Sequence, residues 1–181
     1  MKKTGQNDGL LYLIRGIKIL LNAHRGNLCL CSNNKEWNDR YNGWHTPYFP
    51  PEYQRCCLSG SDFIPDLSCD LYMFFIKYYL WITGSHLMVN FQRNKSWILD
   101  FQESTEEWDT DLQDAVIDMI SLCINKDPDR RIRNAIELMK EKSYLLLAEQ
   151  AGRCDIEEGT FGIESIDTSD QWRWKDVFLF D

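Results

Sequence analysis

The strongest chemical signal in this 181-residue chain is a carboxylate and a guanidinium, each carried on a rigid turn. In Thr46-Pro47-Tyr48-Phe49-Pro50-Pro51-Glu52 the prolines fix an extended turn and keep the residues before them out of helix. Asp127-Pro128-Asp129-Arg130-Arg131-Ile132 is a second turn and closes on two arginines. Glu52 and Arg131 held this way can form a bidentate ion pair, the strongest kind when water is excluded. A metal centre is a weaker reading. His24, His45 and His86 are scattered, with separations of 21 and 41. Among the seven cysteines, Cys29-x-Cys31 and adjacent Cys56-Cys57 fit neither a zinc ribbon nor a disulfide framework. Reduced, mostly buried thiols in an intracellular protein are the expectation.

The Glu52–Arg131 pairing resembles one in the C-terminal lobe of eukaryotic-type protein kinases. There the glutamate ending the activation segment clasps an arginine four residues after an aspartate, the spacing of Asp127 and Arg131. Pro51 and Glu52 take the place of that segment's end. Ser68-Cys69-Asp70-Leu71-Tyr72 resembles the start of the lobe's buried central helix, where the aspartate reaches back to backbone amides of the catalytic loop, here His24 to Asn27. Thr83-Gly84 resembles that helix's stop. Leu112 to Cys123 resembles the helix that delivers the arginine, and Asn134 to Lys140 the last helix. Upstream, Leu11 to Leu21, His24-Arg25 and Gly26-Asn27-Leu28-Cys29-Leu30 resemble a helix, the catalytic loop and a short strand pair. The resemblance spans roughly residues 10 to 146. It implies a mainly α fold with little β, the helical C-lobe of the kinase-like fold.

Departures from the family pattern shape the functional expectation. Gly26 stands where the catalytic aspartate would follow His24-Arg25, and Asn27 matches the metal-binding asparagine only loosely. No Asp-Phe-Gly occurs between residues 28 and 46, where the nearest carboxylates are Glu36 and Asp39. Only nine residues precede the first helix, so the glycine-rich loop, the strand lysine and its glutamate partner have nowhere to sit. Phosphoryl transfer is positioning plus charge neutralisation by those parts. The resemblance therefore implies a pseudokinase reduced to one lobe, with His24, Arg25 and Asn27 as a degenerate catalytic loop and no ATP, cofactor or metal. An alternative is a split or residual kinase, with another chain supplying the nucleotide-binding lobe and with His24, Asn27 and Asp39 in degenerate roles. A third reading is a helical protein unrelated to kinases.

Composition narrows the partners. The net charge of −8 argues against nucleic acid, since phosphate binding needs a basic footprint. The only dense basic cluster is Arg130, Arg131 and Arg133. The longest apolar run, Leu71 to Ile82, is broken by Lys77 and is too short to span a bilayer, and Arg15 and Lys18 interrupt the first apolar stretch against a signal peptide. A cytoplasmic protein without a membrane partner is expected.

The elements follow from periodicity. Leu10-Leu11, Ile14, Ile17 and Leu20-Leu21 make a helical stripe that Gly26 is expected to end in a left-handed stop. Cys69 to Trp81 is apolar nearly all round and reads as the helix on which the others pack. Trp97-Ile98-Leu99 is expected to anchor residues 84–104. Leu112 to Cys123 is amphipathic, capped by Asp109 or Thr110. The organisation expected is a helical domain over 1–150, then an acidic linker and aromatic tail over 151–181. Trp172, Trp174, Phe178 and Phe180 in the tail, with Trp37, Tyr41 and Trp44 in the loop of 32–47, are costly to leave in water. They are the residues expected to meet a protein partner, unless the tail folds back to cover the loop's aromatic surface.

Overall fold

The computed structural model describes residues 5–30, 48–60, 64–85, 87 and 96–157, and among them every regular element is helical. In chain order these are α1 (Gln6–Arg25), α2 (Pro51–Ser59), α3 (Leu67–Thr83), α4 (Trp97–Ser104), α5 (Thr110–Cys123), a 3-10 turn over Pro128–Arg130, α6 (Ala135–Leu138) and α7 (Lys142–Glu157). None is long and apolar enough to cross a membrane.

Two helices organise the core. From Ser68 to Ile76 every residue of α3 is buried, as the unbroken apolar run requires, and α3 packs against α1, α4 and α5. On α1, Leu10, Leu13, Ile14, Ile17, Leu20 and Leu21 are buried while Arg15, Lys18, Asn22 and Arg25 face out, so the 3.6-residue period is realised. Close approach of α1 to its neighbours needs its glycines. A β-carbon at Gly16 would fall 2.3 Å from the ring of Phe74, and one at Gly9 2.4 Å from Trp108.

Short polar side chains start the helices by accepting from otherwise unpaired amides. Asp66 accepts from the Ser68 and Cys69 amides at 2.9 and 3.2 Å, and Asp109 from those of Asp111 and Leu112 at 3.0 and 3.3 Å. Asn134 caps α6 through the Glu137 amide, and Gly84 ends α3 in the left-handed region at φ 68.

Three expectations need correction. Gly26 is not left-handed (φ −85); Asn27 takes that conformation at φ 53, which its short polar side chain tolerates. Residues 26–30 form a turn rather than a strand. In α4, Ile98 and Leu99 face outward and Trp97 is only half-buried; Phe101 is the residue driven into the core, with Asp100 beside it accepting the Tyr79 hydroxyl at 2.6 Å. Helix α7 carries Tyr144, Leu147 and Ala151 on its buried face against α1 and α5. Gly152 lies on the exposed side, where a helical glycine costs about 1 kcal/mol and no more.

Candidate functional site

Two buried ionic nodes join distant parts of the chain. The first is Glu52 with Arg131. Pro50 is extended and Pro51 opens α2, which places Glu52 in its first turn. Asp127 caps the 3-10 turn through the Asp129 amide, and Arg131 leaves that turn in extended conformation. Arg131 Nη2 donates to Glu52 Oε1, with the arginine side chain fully buried and the glutamate side chain 19% exposed. The guanidinium also lies 5.3 Å from the centre of the Tyr72 ring, within cation–π range. Among the described residues, three buried atoms of the node, Glu52 Oε2 and Arg131 Nε and Nη1, have no hydrogen-bond partner. Burial pushes the Tyr72 hydroxyl up to about 12 against the opposing charge of Arg131. It raises the thiols of Cys69 and Cys123 as well.

The second node is His24 with Asp70, both fully buried at the side chain. Asp70 sits in the first turn of α3 and accepts from the Leu30 amide at 2.7 Å and from His24 Nε2 at 3.2 Å. On the other side of the ring, the Ala135 amide donates to His24 Nδ1 at 2.9 Å. An amide can only donate, so Nδ1 carries no proton and Nε2–H points at the carboxylate. One imidazole thus ties α1 to the starts of α3 and α6. Asp70 is expected to accept from amides near His24 to Asn27, and it accepts from that of Leu30, three residues further on. Those of Gly26 and Asn27 close the helix end on Ala23 and His24 carbonyls, leaving Leu30 to reach the carboxylate.

The other sequence-derived site residues scatter. Arg25 and Asn27 are exposed beside the buried His24. Asp127 pairs at 3.5 Å with Arg130 in solvent. Trp37, Tyr41, Trp44, Trp172, Trp174, Phe178 and Phe180 lie outside the described residues, as do Glu36, Asp39, His45 and His86. Among the described residues no group of three histidines, cysteines or carboxylates is disposed to hold a metal. Sequence reasoning missed the His24–Ala135 bond, which no local pattern announces across 111 residues. It also missed the Asp66 cap, which the Asp-x-Ser before an apolar helix does signal.

Both ring nitrogens of His24 are engaged within the fold, leaving none to move a substrate proton. Asp70 spends its charge on an amide and an imidazole. The chain matches no family model, no curated protein and no solved structure.

Proposed function

We propose that the chain is a catalytically inactive helical lobe of the kinase-like type, serving as a protein-binding or structural module in a larger assembly. The observation that carries this reading is the buried contact of Glu52 with Arg131, two residues 79 apart that resemblance alone had paired. Asp70 supports it by reaching back from the start of the central helix to the segment after His24. The absence of a carboxylate after His24-Arg25, where Gly26 stands, supports inactivity. So does the engagement of both His24 nitrogens. Buried Cys29, Cys69 and Cys123, which form no disulfide among the described residues, fit a reducing, cytoplasmic setting.

The test is nucleotide binding. Adding magnesium-ATP to the purified chain is expected to leave its melting temperature unchanged, and no phosphate is expected to reach a generic protein substrate. Saturable stabilisation at micromolar nucleotide would replace this reading with the split-kinase one.

A further inference from the structure

Helix α7 has two faces. Tyr144, Leu147 and Ala151 turn inward against α1 and α5. On the opposite side Lys142, Leu145, Leu146, Glu149 and Arg153 fall within an arc of about 100°, given about 100° of turn per residue. All five are exposed, Leu145 by 57% and Leu146 by 42%. Apolar residues scattered singly over a surface need no explanation, but two side by side within a charged rim make a small contact surface.

The charges around the two leucines are placed symmetrically. Lys142 stands three residues before Leu145, and Glu149 three after Leu146. A two-fold axis between the leucines sets a second α7 antiparallel on the first, leucine against leucine, and brings each Lys142 opposite Glu149 of the other copy. A parallel pairing would set lysine on lysine and glutamate on glutamate, which repels. Both charges are accessible for this. Lys142 has no ion pair among the described residues, and Glu149, its side chain 63% exposed, pairs there with Arg153 on the same face. The exposed Ile98 and Leu99 of α4 lack this symmetry, because Gln102 stands where Glu149 does.

We propose that the outer face of α7 binds a second copy of this chain, antiparallel about the Leu145–Leu146 pair, with two reciprocal Lys142–Glu149 ion pairs closing the contact. The area is small. Stable interfaces bury about 800 Å² per partner, and the net charge of −8 on each copy opposes approach, so the dimer is a weak one that forms at high micromolar concentration. Nothing in this contact depends on the chain's being kinase-like.

Sedimentation equilibrium of the full chain in about 0.15 M salt, from about 10 μM to about 1 mM, tests it. The wild type is expected to pass from monomer to dimer across that range. Leu145→Ser with Leu146→Ser should weaken the dimer at least about 10-fold and leave the melting temperature unchanged, since neither side chain belongs to the core. Lys142→Glu and Glu149→Lys, each alone, replace two attractive contacts by two repulsive ones and should weaken it by about 10-fold. Mixed in equal amounts, the two variants restore opposite charges at both contacts, and the mixture should dimerise within about 3-fold of the wild type. Failure of the mixture to recover would overturn the antiparallel contact. A chain that stays monomeric at the highest concentration would overturn the dimer, leaving the two leucines to another protein or to the residues after Glu157.

Discussion

The two buried nodes are built from the same materials and end in opposite states. At His24 and Asp70, described hydrogen bonds engage both ring nitrogens and hold the carboxylate, so burial is compensated and three helices are locked together. At Glu52 and Arg131 a stronger pair of ions is less well served, because one hydrogen bond must stand for a carboxylate and five guanidinium donors. The difference follows from position. Asp70 sits in the first turn of a helix, facing an amide and an imidazole fixed by other helix ends. Arg131 and Glu52 come from a turn and from a peripheral helix, with no further donors or acceptors among the described residues held against them. Charge alone therefore does not make a rigid junction; satisfaction of every lone pair and proton does.

The largest effect expected from this contrast is at Asp70. Asp70→Ala strands the Leu30 amide and His24 Nε2–H in the core, a loss of about 3–5 kcal/mol at 1–3 kcal/mol per orphaned group with the cavity added. Denaturant unfolding should show this as one cooperative transition shifted to lower midpoint. A loss under about 1 kcal/mol would mean that the saturated node is not the stronger junction.

Alkaline pH probes the surroundings of the Glu52–Arg131 node. Burial holds Cys69 and Cys123 above the ordinary thiol value of 9.0 and Tyr72 at about 12 against an ordinary 10.0. For groups raised in the folded state, the unfolded chain loses its protons first, so stability is full at lower pH and falls as pH rises. The decline should begin near pH 9 from the thiols and steepen between about pH 10 and 12, where Tyr72 alone contributes roughly 2–3 kcal/mol. Unfolding free energies across that range check the direction. A flat profile would show that these groups are already in water.

Glu52→Gln should cost the global transition less than Asp70→Ala, about 1–2 kcal/mol, although it strands a fully buried guanidinium. The Glu52 side chain is 19% exposed, so water reaches the pair from that side and limits the loss. Equal losses at the two nodes would erase the distinction between a fully satisfied junction and a partly satisfied one.

How much of this was legible in the sequence depends on how local the cause was. The apolar run of α3 and the Leu112-to-Cys123 stripe with Asp109 before it state their helices outright, because burial face and cap are written within a few residues. The outward turn of Leu99 and the inward turn of Phe101 were not legible, since a mixed segment fits more than one register until a neighbour such as Tyr79 chooses. The extent of α7 was hidden by a change in composition that does not coincide with a change in burial. The Glu52–Arg131 pair became legible through motif order, whereas the His24–Ala135 bond left no trace that pattern could detect.

The smallest predicted effect separates neighbours that a charge count treats alike. Arg130 and Arg131 follow one another, yet Arg130 holds Asp127 at 3.5 Å with its side chain 77% exposed, whereas the side chain of Arg131 is fully buried against Glu52. An exposed pair gains little in water and gives back side-chain entropy to form, so Arg130→Ala should change stability by under about 0.5 kcal/mol and leave exchange over 51–59 untouched. Asp127 would still cap its turn through the Asp129 amide, which needs no arginine. If Arg130→Ala instead loosened α2, the carboxylate of Glu52 would be shared between the two arginines. The buried pair would then be a property of the basic turn rather than of the one buried guanidinium.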